Sequence, residues 1–123
     1  MNSRHALAAG GLLLALATAC GAFGAHSLKG QLAPERLQLW ETAVRYQFLQ
    51  SLGLIAVGLT QRTLEAGALR AAATLLLAGT LLFCGSLYAL SFGGPRVVGM
   101  LTPLGGLAWI AAWLLFAVGV WRH

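Results

Sequence analysis

A chain of 123 residues that is 59% hydrophobic and only 9% charged cannot clothe itself in water-facing side chains as a soluble domain does. Its net charge of +5 arises from eight Lys and Arg against three acids, and the bases stand singly in loops and at the ends. That scatter excludes the basic patch or stripe that nucleic-acid binding needs. The two cysteines, Cys20 and Cys84, both fall in apolar runs; they read as buried free thiols, which excludes a secreted disulfide framework but leaves a bridge between two helices open.

The first apolar stretch covers residues 6–25. About 20 apolar residues suffice to cross a bilayer, and inside lipid such a run becomes a helix because the backbone must satisfy itself. The basic start at Arg4 and the run Ala17-Thr18-Ala19-Cys20 imitate a signal peptide. The apolar run continues past Cys20 to Ala25, however, so the segment is read as a retained first helix. Ala17, Gly21 and Ala25 repeat every four residues and predict a face on which a neighbouring helix packs closely. His26 falls at the membrane–water boundary.

Pro34 is well placed to open a second helix running to about Thr60. Leu37, Trp40, Val44 and Phe48 share one face, while Gln38, Glu41 and Arg45 share another. The wholly apolar part is short, so a span over 43–60 must take in Arg45, Tyr46, Gln47 and Gln50. Polar groups at that depth face other helices, either as a functional cluster or as interhelical glue. Residues 61–70 form a polar hairpin loop, and 71–92 a third span carrying Cys84, Ser86 and Tyr88. Gly93-Gly94-Pro95-Arg96 is a turn.

The last stretch, 97–121, is interrupted by Thr102-Pro103-Leu104-Gly105-Gly106. Either the helix kinks at Pro103, or a short turn precedes a span that begins near Leu104. Gly105 and Gly106 predict close helix contact there. The expected fold is therefore all-α: a single transmembrane domain over 1–123, with four transmembrane helices arranged as two helical hairpins. A faint overlay of Leu12-Leu13, Cys20-Gly21 and Ala25 on Leu76-Leu77, Cys84-Gly85 and Ala89 agrees with paired hairpins. Orientation stays open, because Arg4, Arg62, Arg70 and Arg122 on one side balance Lys29, Arg36, Arg45 and Arg96 on the other.

Read together, Gly21-Ala22-Phe23-Gly24-Ala25-His26, Trp40-Glu41-Thr42-Ala43 with Tyr46-Gln47, Phe83-Cys84-Gly85-Ser86-Leu87-Tyr88, and Thr102-Pro103-Leu104-Gly105-Gly106 with Trp113 form a pattern. The chain resembles, over nearly its whole length, the small membrane-protein family called domain of unknown function 423, which includes the transmembrane protein 256-like proteins. The resemblance implies four transmembrane helices in a bacterial inner (plasma) membrane, and it implies no activity. Where the family pattern carries a histidine after the Tyr-Gln pair, this chain has Gln50, which cannot titrate and is a poor transition-metal ligand.

Two functions compete on these residues. One is a non-catalytic scaffold or accessory subunit, associated with itself as a homo-oligomer or with a larger membrane protein. The other is an oligomeric transporter of ions or small solutes, using a polar cluster of His26, Tyr46, Gln47 and Gln50. No catalytic motif or paired carboxylate can be assembled, so no enzyme, metal or cofactor is expected.

Overall fold

The computed structural model describes residues 1–123 and contains helices but no strands. Helix α1 covers Ser3–Phe23 and ends in a π-helical turn, Gly24–Leu28. It is followed by α2 (Pro34–Thr60), α3 (Gly67–Ser91), a 3-10 turn (Arg96–Met100) and α4 (Leu101–Trp121). α1 and α4 with their appended turns, and α3 by itself, are long and apolar enough to cross a membrane. Consecutive helices pack against each other, so α2 lies between α1 and α3, and α3 between α2 and α4.

The helix ends follow from local chemistry. Asn2 accepts the His5 N–H through its side chain and caps α1. Pro34 sits at the first position of α2, where its missing N–H would have had no helical partner. At the end of α3, Gly93 adopts φ 86°; its N–H donates to the Leu90 carbonyl and that of Gly94 to the Ala89 carbonyl. This is a Schellman ending, and Pro95 prevents the helix from resuming. At the loop of residues 61–66 the start of α1 is tied to the end of α2. Ser3 Oγ donates to the Gly58 carbonyl at 2.7 Å, and Gln61 Nε2 to the Met1 carbonyl at 2.8 Å.

The break expected at Pro103 lies earlier in the chain. The 3-10 turn holds residues 96–100, and α4 then runs as one unbroken helix from Leu101 to Trp121 with Pro103 inside its first turn. There the N–H groups lack partners in any helix, so a proline removes nothing. The second of the two readings of this stretch is the one found, with the helix starting slightly earlier than Leu104.

The α1–α2 seam corrects another detail. Buried positions on α1 are Ala6, Gly10, Leu13 and Ala17, continuing through Gly24 and Leu28. Alternating steps of three and four keep one side of a helix facing its partner, whereas steps of four drift around it. Ala17 is wholly buried and Gly21 approaches Val44, but Ala25 is exposed and Gly24 takes its expected place. The interior is completed by Leu54, Val57, Leu69 and Leu76, all essentially inaccessible.

Candidate functional site

Tryptophan seated on glycine is the recurring join of this bundle. A Cβ on Gly24 would stand 2.7 Å from both Cδ1 and Nε1 of Trp40, so the edge of the indole rests against bare backbone. From there Trp40 Nε1 donates to the Cys20 carbonyl at 2.9 Å, one turn back on the same helix. Trp109 repeats the device on α3: a Cβ on Gly79 would be 2.6 Å from its Cδ1, and its Nε1 donates to Thr80 Oγ1 at 3.2 Å. Trp113 lies over Gly53 of α2, 2.5 Å from the site of a Cβ, and donates to Gln50 Oε1 at 3.0 Å. In each case the glycine removes bulk, and a neighbour on the same helix supplies an acceptor for the indole N–H, buried in Trp40 and Trp109 and half-buried in Trp113.

Gln47 is the polar centre of the bundle. It is 4% exposed, donates from Nε2 to the Leu13 carbonyl at 2.8 Å, and accepts the Tyr88 hydroxyl on Oε1 at 2.7 Å. One amide therefore joins α1, α2 and α3 at a single level. Tyr88 also packs against Trp40, with ring centroids 4.6 Å apart, and Trp40 meets Phe23 and Phe92 at 5.9 and 5.6 Å. Cys84 Sγ donates to the Ala43 carbonyl at 3.3 Å; both cysteines are free thiols.

The four residues expected to cluster occupy separate surroundings. His26 is exposed in the π-helical turn, at the end of the bundle. Tyr46, 37% exposed, stacks on Trp109 at 5.8 Å and meets Phe83 at 5.2 Å. Gln47 points to α1 and α3, whereas Gln50 points to α4. Adjacent and near-adjacent residues diverge because each step along a helix turns a side chain by about 100°. Gln50 also lies about 24 Å along the axis from Pro34, far below the level of His26.

Among the residues expected to pack helices, Gly105 meets α3 at the backbone: its Cβ would stand 2.6 Å from Phe83 N and 2.7 Å from the Gly79 carbonyl oxygen. Gly106 meets nothing within 4 Å, so the close contact expected of both glycines belongs to Gly105 within this chain. Pro103 is exposed at the head of α4. Sequence reasoning left Tyr88, Trp40 and Trp113 out of the candidate cluster, because their partners are far away in the chain and no local spacing marks them.

The chemistry available at these joins is hydrogen bonding between amides, hydroxyls, indoles and carbonyls. None of those side chains exchanges a proton near neutral pH. Nowhere do three or more His, Cys, Asp or Glu side chains gather as a metal-binding group would.

The profile of a family described as protein of unknown function, DUF423, matches residues 20–106. A UPF0382 membrane protein of Staphylococcus haemolyticus is 39% identical over 113 residues, 92% of this chain and 92% of its own. The UPF0382 membrane protein YwdK of Bacillus subtilis is 40% identical over 109 residues, 88% of this chain and 89% of its own. No solved structure matches. The family is the one that the motifs on α1 to α4 resemble, and both relatives bear the name of membrane proteins.

Proposed function

Because the chain belongs to the DUF423 family, whose relatives are membrane proteins, we propose that it is a four-span protein of the bacterial inner membrane serving as a non-catalytic scaffold or accessory subunit. The fourth span is α2. It is less apolar than the other three helices, yet it packs along both α1 and α3, which are long and apolar enough to cross. A helix held between two crossing helices by short loops must cross with them. Lipid then covers Leu12, Leu52, Leu81, Leu107 and Leu114, which are all more than half exposed.

The observation that supports the scaffold reading is how the membrane-depth polar groups are used. Gln47, Trp40, Trp109, Trp113 and Tyr88 all spend hydrogen bonds on joining helices. Such bonds contribute about 0.6 kcal/mol each on average in a membrane, and together they fix one arrangement of the bundle. A rigid small bundle with short loops offers its outer faces to other membrane proteins. The test is gentle solubilisation from native membranes, followed by mass measurement of the intact particle. A stoichiometric assembly, of this chain alone or with a larger protein, supports the reading. A monomer that carries solute flux when reconstituted into vesicles would replace it with transport.

A further inference from the structure

Two polar groups on one face of α2 are left without partners. Gln50 uses its Oε1 to accept from Trp113, while its Nε2 donates to nothing in the chain and is not sealed from the surface. One turn earlier, the Tyr46 ring stacks on Trp109, and its hydroxyl makes no hydrogen bond within the chain. Gln50 stands about 10 Å inside the length of α2 that the four-span reading places in hydrocarbon, and Tyr46 one turn nearer its start. Water cannot satisfy the Gln50 amide there, and an unpaired donor at that depth is costly. The adjoining edge of α4 presents Trp113 and, a heptad earlier on the same face, Gly106 with open space around it.

We propose that this α2–α4 face is where two copies of the chain pair, with Gln50 of each copy donating to the other across a twofold axis and the Tyr46 hydroxyls joining the same contact. The inference rests on the four-span reading and deepens it by naming the first partner of the scaffold. A primary amide is self-complementary: its N–H donates, and its oxygen keeps a second lone pair after accepting the Trp113 indole. A symmetric interface repeats each residue, so one unpaired donor per chain is satisfied twice. Gly106 lets the second backbone come close without disturbing the first bundle. A lipid chain could fill the same groove, but it offers an amide and a phenol no acceptor at that depth.

The experiment uses the full chain, labelled with one fluorophore per copy, in vesicles of rising lipid-to-protein ratio. Energy transfer reports pairing, and melting in detergent reports the fold. Wild type is expected to pair specifically, and bis-maleimide is expected to link Ala117→Cys, on the Trp113 face, but not Leu12→Cys on α1. Gln50→Leu and Tyr46→Phe should each weaken pairing about eight- to three-hundredfold, because the twofold axis removes two hydrogen bonds between helices from every dimer. Tyr46→Phe removes no bond within the chain, so its melting should stay at wild type. A protein that remains monomeric, links only to another protein, or pairs equally well in both variants overturns the proposal. So does weakening confined to Gln50→Leu with a lowered melting temperature, which would be a loss of fold. Side-specific labelling of the loops in the same vesicles separates the failures. Four spans without pairing refutes the dimer alone, while three spans refutes the membrane reading and takes the dimer with it.

Discussion

Replacing Gly105 by alanine should loosen α4 from α3, and the neighbouring Gly106 provides the control. An alanine Cβ at 105 would stand 2.6 Å from Phe83 N, 2.7 Å from the Gly79 oxygen and 2.8 Å from Phe83 Cβ. Two of those atoms belong to the backbone, so no rotamer change relieves the clash. Restoring ordinary contact, which begins near 3.4 Å, demands a separation of about 0.8 Å between the helices. Trp109 Nε1 and Thr80 Oγ1, now 3.2 Å apart, would then pass beyond hydrogen-bonding distance. The lost bond costs about 1 kcal/mol and the overpacking about 1–3 kcal/mol, so a destabilisation of about 2–4 kcal/mol is expected. Gly106→Ala meets nothing within 4 Å inside the chain and gains helix propensity, so for the fold of a single copy it should be neutral or stabilise by up to about 1 kcal/mol. Denaturant unfolding in mixed micelles, followed by circular dichroism, measures both. Wild-type stability for Gly105→Ala, or equal damage from the two substitutions, would refute the backbone-contact argument.

Other consequences follow from the same geometry. Gln47→Leu should cost about 1–3 kcal/mol because it leaves the half-buried Tyr88 hydroxyl unpaired, and Tyr88→Phe about 1 kcal/mol. The double variant should cost less than the sum, and strict additivity in the same unfolding assay would show that the two do not interact. Pro103→Ala, in the first turn of α4, should leave stability within about 0.5 kcal/mol; a larger change would mean that the proline shapes the helix. Cys84, 3% exposed and bonded to the Ala43 carbonyl, should react with a membrane-permeant maleimide only on unfolding, and rapid labelling of the folded protein would contradict its burial.

What could be read from the chain was what is local. Pro34 opens a helix because proline has no N–H to lose there, and Gly93-Gly94-Pro95 closes one because glycine adopts the left-handed conformation. The long apolar runs declared helices of membrane length because hydrocarbon admits few other structures. The joins were illegible for the opposite reason. Trp113 finds Gly53 and Gln50 across about half of the chain, and Trp109 finds Gly79 across a turn and a loop. A count of four also misplaced the close contact at the end of α1, since the seam follows a three–four alternation and reaches Gly24 rather than Ala25. Adjacent polar residues on α2 suggested one cluster, but a helix sends its neighbours in different directions. Gln47 and Gln50 therefore serve different interfaces.

The central claim is that α2 crosses the membrane with its neighbours. Single cysteines at Gln31, Thr63 and Arg96, and at each terminus, in a background lacking Cys20 and Cys84, can be labelled from either side of sealed vesicles. Gln31→Cys and Arg96→Cys are expected to react from one side, and Thr63→Cys and both termini from the other. Reaction of Gln31→Cys and Thr63→Cys from the same side would mean that α2 does not cross, and the four-span bundle would be wrong.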